Sequence, residues 1–180
     1  MMASALTVAR FFLDNRFPVS QRGKYSPQDI QDLIFIADGY HMAILNQPLV
    51  DTKSYAFQNG PVQKTFYRMA KNIYTTTEGY ESPRFIEGKI LSLPIADFEP
   101  ETEKLLYQIN GKISSKDSVA LRNLTHLKGS PWELVWNRAP FDCIPDELTR
   151  DYYLMIQGAP KKARRDLKPI YRNDANEFLG

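Results

Sequence analysis

The sequence predicts a mainly α (α+β) fold, namely a compact multi-helix domain around a central buried helix, with a small β-hairpin or short sheet. Two observations support this prediction. The apolar residues of segment 27–45 recur at helical spacing, and a second apolar set covers most of the remaining circumference. Several shorter segments show the same period between proline, glycine and serine breaks. A helix that is apolar nearly all round is usually buried on several sides, so 27–45 is predicted to be the centre of the domain.

Capping residues mark both ends of the central helix. Ser26 is an N-cap candidate, Pro27 fits the first helical position, and Asp29 stands where a capping-box acid would stand. Asn46 fits the left-handed position after a helix, and Pro48 forbids its continuation.

The segment before the central helix predicts a first amphipathic helix that packs against it. Arg10 and Asp14 interrupt its apolar residues, so we do not interpret the start of the chain as a secretory signal. The apolar stripe consists of Leu6, Ala9, Leu13 and Phe17.

After the central helix the chain is predicted to be extended. Leu49-Val50 and Tyr55–Phe57 predict a short hairpin or two edge strands. Gly60 and Pro61 are predicted to start the next helix, because glycine permits a tight entry and proline presets a helical dihedral. The apolar face of that helix is Val62, Phe66, Met69, Ala70 and Ile73.

The second half of the chain predicts a weak hairpin and four helices between clear breaks. They are a hairpin within 85–93, a helix from Pro100 to Asn110-Gly111, a helix capped by Asp117 and stopped by Gly129, a short helix capped by Ser130, and a last helix over 145–157.

Composition limits the class of protein. A chain of 180 residues with ordinary apolar and charged fractions predicts one globular domain. The net charge of only +2 argues against strong non-specific binding of nucleic acid. A lone cysteine, Cys143, excludes a disulfide framework and is typical of a reducing compartment. Since no apolar run approaches transmembrane length, we expect a cytoplasmic protein without a membrane partner.

Several sequence blocks, in this order and spacing, resemble the Panacea domain of the SocA-like antitoxin family, which includes phage-associated proteins of the GepA type. The resemblance extends from about Val8 to Ile156. The blocks are Ile34–His41, Gln47–Leu49, Tyr55–Val62 with Phe66-Tyr67, Leu121–His126, Ser130–Trp132, and Ile144–Leu148 with Tyr152-Tyr153.

The resemblance implies a Panacea domain over 1–158, followed by a basic C-terminal tail over 159–180. The tail carries Ile170-Tyr171 and Phe178-Leu179, with which it could dock on the domain. The resemblance also implies an antitoxin of a toxin–antitoxin system, which neutralises a cognate toxin encoded nearby by direct protein–protein binding. One member of the family delivers its toxin to a protease, so an adaptor role with a protease partner stays open.

Seven residues of these blocks are predicted to be structural. His126 closes a helix, where it can bond the last carbonyls, and His41 lies in the buried helix, which favours a hydrogen-bonded core histidine. Trp132 is predicted to be a core residue. The seven are His41, Gly60, Pro61, Val62, His126, Pro131 and Trp132.

Six other residues are candidates for contact with a partner. Three cationic side chains form a stripe on the helix after Gly60, which is either a solvated face or a docking surface for an acidic partner or a phosphate backbone. Two tyrosines and a tryptophan are candidate aromatic anchors. The six are Tyr40, Lys64, Tyr67, Arg68, Lys71 and Trp136.

A catalytic or metal site is not expected. One cysteine and two histidines are too few soft ligands for a metal, and the histidines belong to no His-Glu-x-x-His motif. A thiol hydrolase with Cys143 as nucleophile and either histidine as base is formally possible. We therefore expect no catalytic residue, no metal and no cofactor.

The alternative function is a nucleic-acid-binding regulator of a mobile element or phage. It would use the cationic stripe together with the basic run Lys161–Arg165. Salt dependence separates the two hypotheses, because phosphate contacts release counterions and weaken steeply with salt.

Overall fold

The computed structural model describes residues 2–16, 26–74, 95–113, 115–158 and 172. Within these ranges the chain forms seven helices and one two-stranded sheet, which confirms the predicted mainly α fold with a small β-hairpin. The helices are α1 Ala5–Arg16, α2 Pro27–Leu45, α3 Lys64–Tyr74, α4 Pro100–Ile113, α5 Ser118–His126, α6 Pro131–Arg138 and α7 Asp146–Ile156, and the strands are β1 Ser54–Phe57 and β2 Gly60–Gln63.

Helix α2 is the centre of the domain, as the sequence predicts. It contacts α1, α4, α5, α7 and β2, and nearly all of its first four turns are buried. Its capping box is complete, because the Ser26 hydroxyl accepts from the Asp29 N–H and the Asp29 carboxylate accepts from the Ser26 N–H. Asn46 ends the helix at a φ of 53°. Gly39 lets α7 approach closely, since a Cβ there would overlap the ring of Tyr153.

Five polar side chains of α2 are buried among its apolar residues, namely Asp29, Gln31, Asp32, Asp38 and His41. A buried polar group requires hydrogen-bond partners. The Gln31 amide exchanges two bonds with the backbone of Gln63, at 2.8 and 3.1 Å. The Asp38 carboxylate accepts from the N–H of Leu49 at 2.8 Å. Gln31 and Asp38 thus hold the chain that follows α2 against the helix.

The hairpin is held on both sides. Strands β1 and β2 pair antiparallel, with Phe57 opposite Gly60. On the other side of β1, residues 141–144 run alongside it like a third strand. The bonds are Phe141 N–H to Ala56 O at 2.8 Å, Ala56 N–H to Asp142 O at 2.9 Å, and Ile144 N–H to Ser54 O at 2.8 Å.

Gly60 and Pro61 do not begin a helix, so that prediction is wrong. They form the start of β2, and α3 begins only at Lys64. Proline fixes φ near a value that helices and extended chain share, so it does not choose between them. Contact with α2 favours the extended form, because the Gln28 side chain of α2 donates to the carbonyl of Pro61 at 3.3 Å.

Two further boundaries differ from the predictions. Strand β1 pairs with β2, and Val50 instead forms a bridge with Ala3 of the N-terminal segment. Helix α4 continues past Asn110 and Gly111 to Ile113, which is buried. Burial of that last turn outweighs the local cost of a glycine within a helix.

Some predictions lie outside the described residues. They are the hairpin within 85–93, the end of the first apolar stripe at Phe17, and the tail 159–180 except for Arg172. No helix in the described ranges is both long and apolar enough to cross a membrane.

Candidate protein interaction site

Three of the sequence blocks, Tyr55–Val62, Leu121–His126 and Ser130–Trp132, meet at the hairpin. The indole N–H of Trp132 donates to the carbonyl of Phe57 at 2.8 Å, next to the turn. The ring of Trp132 lies against that of His126, with 3.9 Å between centroids. His126 in turn lies beside Gly60, where a Cβ would stand 3.2 Å from the imidazole. Three blocks that are distant in sequence therefore form one cluster.

Gly60 is required at this point for two reasons. Its φ is +135°, a conformation that other residues rarely adopt. A Cβ there would lie 2.7 Å from Nε2 of Gln28 and 3.2 Å from Oδ1 of Asp32. The glycine thus permits the close approach of β2 to α2.

Both histidines have the structural contacts that the sequence predicts. His41 uses both ring nitrogens in the core, with the carbonyl of Gln47 at 2.6 Å and the hydroxyl of Thr102 at 2.9 Å. Nδ1 of His126 lies 2.8 Å from the carbonyl of Arg122 near the end of α5. Burial lowers the pKa of each imidazole, so both are predominantly neutral at pH 7.

Asp32 lies behind Gly60 with one satisfied oxygen and one unsatisfied oxygen. Its Oδ1 accepts from Nε2 of Gln28 at 3.0 Å, whereas Oδ2 has no hydrogen-bond partner among the described residues. Burial raises the pKa of Asp32 to about 7, with the neighbouring Asp29 adding to the rise and the Gln28 bond opposing it. The folded protein therefore binds this proton more tightly than the unfolded chain does.

The raised pKa of Asp32 predicts a pH-dependent stability. Because a raised folded-state pKa stabilises the protonated form, this contribution is complete below the unfolded pKa of 3.8 and is lost as pH rises through about 7. Between pH 5 and pH 8 the wild type should lose about 3 kcal/mol relative to Asp32→Asn. Urea melts of both proteins at these two pH values measure the difference, and parallel pH profiles would contradict the assignment.

A row of six contacting rings begins at the same cluster and continues across the surface. The contacts, by centroid distance, are Tyr67–Phe57 at 5.4 Å, Phe57–Phe141 at 5.3 Å, Phe141–Trp136 at 5.4 Å, Trp136–Trp132 at 6.0 Å and Trp132–His126 at 3.9 Å. Five of these rings are half-buried or exposed, and one of the five, His126, belongs to the cluster around Gly60. The other four form a continuous surface patch. We call them the aromatic surface, and they are Phe57, Tyr67, Trp136 and Phe141.

Phe141 is the most unusual member of the aromatic surface. Its side chain is 58% exposed, and its φ is +69°, a strained value for a bulky residue that costs about 1–3 kcal/mol. The bond from its N–H to the carbonyl of Ala56 on β1 helps to hold this conformation. Strain that keeps a large apolar ring at the surface is typical of functional positions. No local signal in the sequence identifies Phe141, since its conformation depends on strand β1.

Four of the predicted partner-binding residues lie on or next to the aromatic surface. Tyr67 and Trp136 belong to it. Lys64 and Arg68 lie on α3 with Tyr67, where Nζ of Lys64 is 3.5 Å from the ring centroid of Tyr55 and Arg68 is exposed. The structure thus brings together residues of α3 and α6 that are distant in sequence.

The other two predicted partner-binding residues do not join this group. Tyr40 lines a separate groove of about 400 Å³ between α2, α4, α5 and α7, where its ring centroid lies 4.9 Å from that of Tyr153. The side chain of Lys71 lies outside the described part of the structure.

The described residues contain no group of three or more histidine, cysteine or acidic side chains arranged to hold a metal. The remaining motif residues, Pro61, Val62 and Pro131, are buried.

One family model matches the chain. Its description is "Antitoxin SocA-like, Panacea domain", and it matches residues 30–133, which is more than half of the 180 residues. The matched range holds the cluster around Gly60 and two rings of the aromatic surface, while Trp136 and Phe141 lie beyond it. No curated protein and no solved structure matches the chain.

Proposed function

Because the chain belongs to the family of SocA-like antitoxins with a Panacea domain, we propose that it neutralises a cognate toxin, encoded nearby, by direct protein–protein binding. The observation that supports this mechanism is the aromatic surface. Binding energy at protein interfaces is concentrated in a few anchors, among which tryptophan and tyrosine are enriched. The exposed rings of this surface are suited to such a role.

The rings are also held in place before any partner binds. Each of the four contacts at least one other ring of the row, and Phe141 is fixed by its backbone bond to β1. A preorganised surface loses less conformational entropy on association than a mobile one. The cationic Lys64 and Arg68 lie at its edge, so the toxin surface that fits is apolar at its centre and acidic at its rim.

Replacing Phe141 with glycine tests the proposal without damaging the fold. Glycine tolerates the positive φ, and this relief of strain offsets the lost ring contacts with Phe57 and Trp136. The free energy of unfolding should therefore change little, while the exposed anchor is lost. We expect toxin binding to weaken by about 30-fold or more, the effect of losing a hot-spot residue of about 2 kcal/mol. Growth on co-induction of the protein and the neighbouring gene product, together with titration calorimetry, provides the measurement.

The matched control for Phe141→Gly is Tyr107→Ala. Tyr107 is a comparably exposed aromatic residue, 51% exposed on α4, and lies outside the aromatic surface. This variant should rescue growth like the wild type. If Phe141→Gly binds the toxin as tightly as the wild type, the aromatic surface is not the binding site.

Neutralisation by binding alone also predicts which residues can be removed without effect. Cys143 is half-buried and its thiol contacts the carbonyl of Ile144 at 3.7 Å, while His126 bonds the end of its own helix. Cys143→Ala and His126→Ala should each retain rescue whenever the variant is folded, as circular dichroism and urea melts verify. A folded Cys143→Ala protein that still binds the toxin but no longer rescues growth would refute a binding-only mechanism and favour a thiol enzyme.

A further inference from the structure

Asp32 points to a second binding determinant. It is 1% exposed and lines a cavity of about 280 Å³ between the N-terminal turns of α2 and α5. Its unpartnered Oδ2 is a buried acceptor, and such an atom costs about 1–3 kcal/mol unless a donor reaches it. The other lining residues are Ser26, Gln28, Asp29, Ser118, Val119 and Arg122.

The size and charge of this Asp32 pocket limit what it can bind. A volume of about 280 Å³ lies below the range of about 300–1,000 Å³ for cofactors and drug-sized ligands, so one side chain fits better than a nucleotide. Asp29 lies one helical turn before Asp32, on the same face of α2. Its Oδ2 accepts from the Ser26 N–H and the Ser118 hydroxyl. Among the described lining residues there are two acids and one cation, Arg122, and this composition favours a cationic donor.

We propose that the Asp32 pocket binds the guanidinium group of an arginine side chain that the toxin inserts. This inference rests on the proposed function, because the partner that supplies the arginine is the toxin. A guanidinium carries five donors in a planar fork, so it can donate to Asp29 and, once the Asp32 side chain turns its buried Oδ2 toward the cavity, to Asp32 as well. An ammonium group offers only a compact point charge.

Binding of the cation requires the ionised form of Asp32. In the described part of the chain, the other charged or titratable groups around it are Asp29, Arg122, His126 and Tyr153. Burial keeps the last two neutral, since it lowers the pKa of His126 and raises the pKa of Tyr153 well above its ordinary value. Asp32 with a pKa of about 7 is mostly ionised at pH 8 and about one-tenth ionised at pH 6. The affinity for a guanidinium should therefore fall about tenfold from pH 8 to pH 6.

The first test uses the full chain alone, with N-acetyl-arginine methylamide as the probe. Amide chemical shifts of Asp32 and Ser118 should change saturably, with about tenfold weaker binding at pH 6 than at pH 8. The neutral citrulline analogue is the matched control and should produce no such change. Equal shifts with both probes, or shifts that persist in a folded Asp32→Asn variant, would overturn the site.

A gain of binding guards against a misfolded Asp32→Asn variant. Arg122 is exposed at the pocket and repels a cationic guest. Arg122→Gln removes this repulsion and should raise the affinity for the arginine probe several-fold. An unchanged or lower affinity in this folded variant would count against a guanidinium site.

The second test asks whether the toxin uses the pocket. Wild-type affinity for the toxin should fall about tenfold from pH 8 to pH 6, and Asp32→Asn should remove this dependence. If Asp32→Asn binds the toxin as tightly as the wild type at pH 8, the link between pocket and toxin is wrong. The proposed function is tested separately by growth rescue and by Phe141→Gly, while the probe titration reads the pocket without any toxin.

Discussion

Replacing Arg172 with alanine is expected to lower the free energy of unfolding by about 3–5 kcal/mol. The guanidinium is 1% exposed and lies between the carboxylates of Asp38 and Asp146. Its Nη1 donates to Oδ2 of Asp38 at 2.8 Å and its Nε to Oδ2 of Asp146 at 2.9 Å. Burial lowers the pKa of Arg172, but the two carboxylates outweigh it and hold that pKa above its ordinary value, so the cation persists at every working pH. Its removal leaves two buried acids without their counter-ion.

Urea melts of Arg172→Ala, with the exposed Arg138→Ala as a control, measure this effect. Adding Asp146→Asn to the Arg172→Ala protein should restore part of the loss, because one uncompensated charge is then removed. A chain that ends at Gly158 lacks Arg172 and should be destabilised to a similar degree. If that shortened chain unfolds at the wild-type urea midpoint, Arg172 does not anchor the end of the chain.

Trp132→Ala is expected to destabilise the domain by a similar amount, about 3–5 kcal/mol, because it removes a large buried aromatic side chain. Trp132 is 7% exposed and is clamped between His126 and Trp136. Its indole N–H also satisfies the carbonyl of Phe57, which the substitution leaves without this donor. Urea melts give the magnitude.

Two variants separate the contributions of Trp132. Trp132→Phe keeps an aromatic ring but loses the bond to Phe57, so its smaller loss isolates that bond together with the reduced area. Leu134→Ala removes a side chain that is 45% exposed on the same helix, and it should change little. A Trp132→Ala midpoint equal to that of the wild type would show that the side chain is dispensable to the fold.

Local signals predicted the helices well, because capping is decided within one turn. Ser26 and Asp29 bond each other, and at the start of α6 the Ser130 hydroxyl accepts from the Glu133 N–H. The sequence also predicted the buried roles of Trp132 and His41. These predictions depend on apolar period and on hydrogen-bonding demand, which neighbouring residues specify.

The errors and omissions have a common cause in distant contacts. The local sequence predicts a helix start at Gly60 and Pro61, because the Gln28 side chain that helps hold β2 lies on α2, far away in sequence. Phe141 depends on strand β1 for its strained φ. Arg172 bonds Asp38, which lies 134 positions earlier in the sequence. No local pattern in a basic tail indicates which arginine will form a buried ion pair. A polar residue within an all-round apolar helix, such as Asp32, was the one available signal of an unusual site.

The backbone pairing around the hairpin also limits how a partner can bind and how the protein can aggregate. On the outer side of β2, Gln28 and Gln31 bond the backbone of Pro61 and Gln63. On the outer side of β1, the backbone of residues 141–144 already forms hydrogen bonds with the strand. A partner protein that docked by adding a strand would first have to displace these bonds, so recognition is expected to use side chains. The same occupied edges make this sheet a poor template for edge-to-edge aggregation, even when the protein accumulates without a partner.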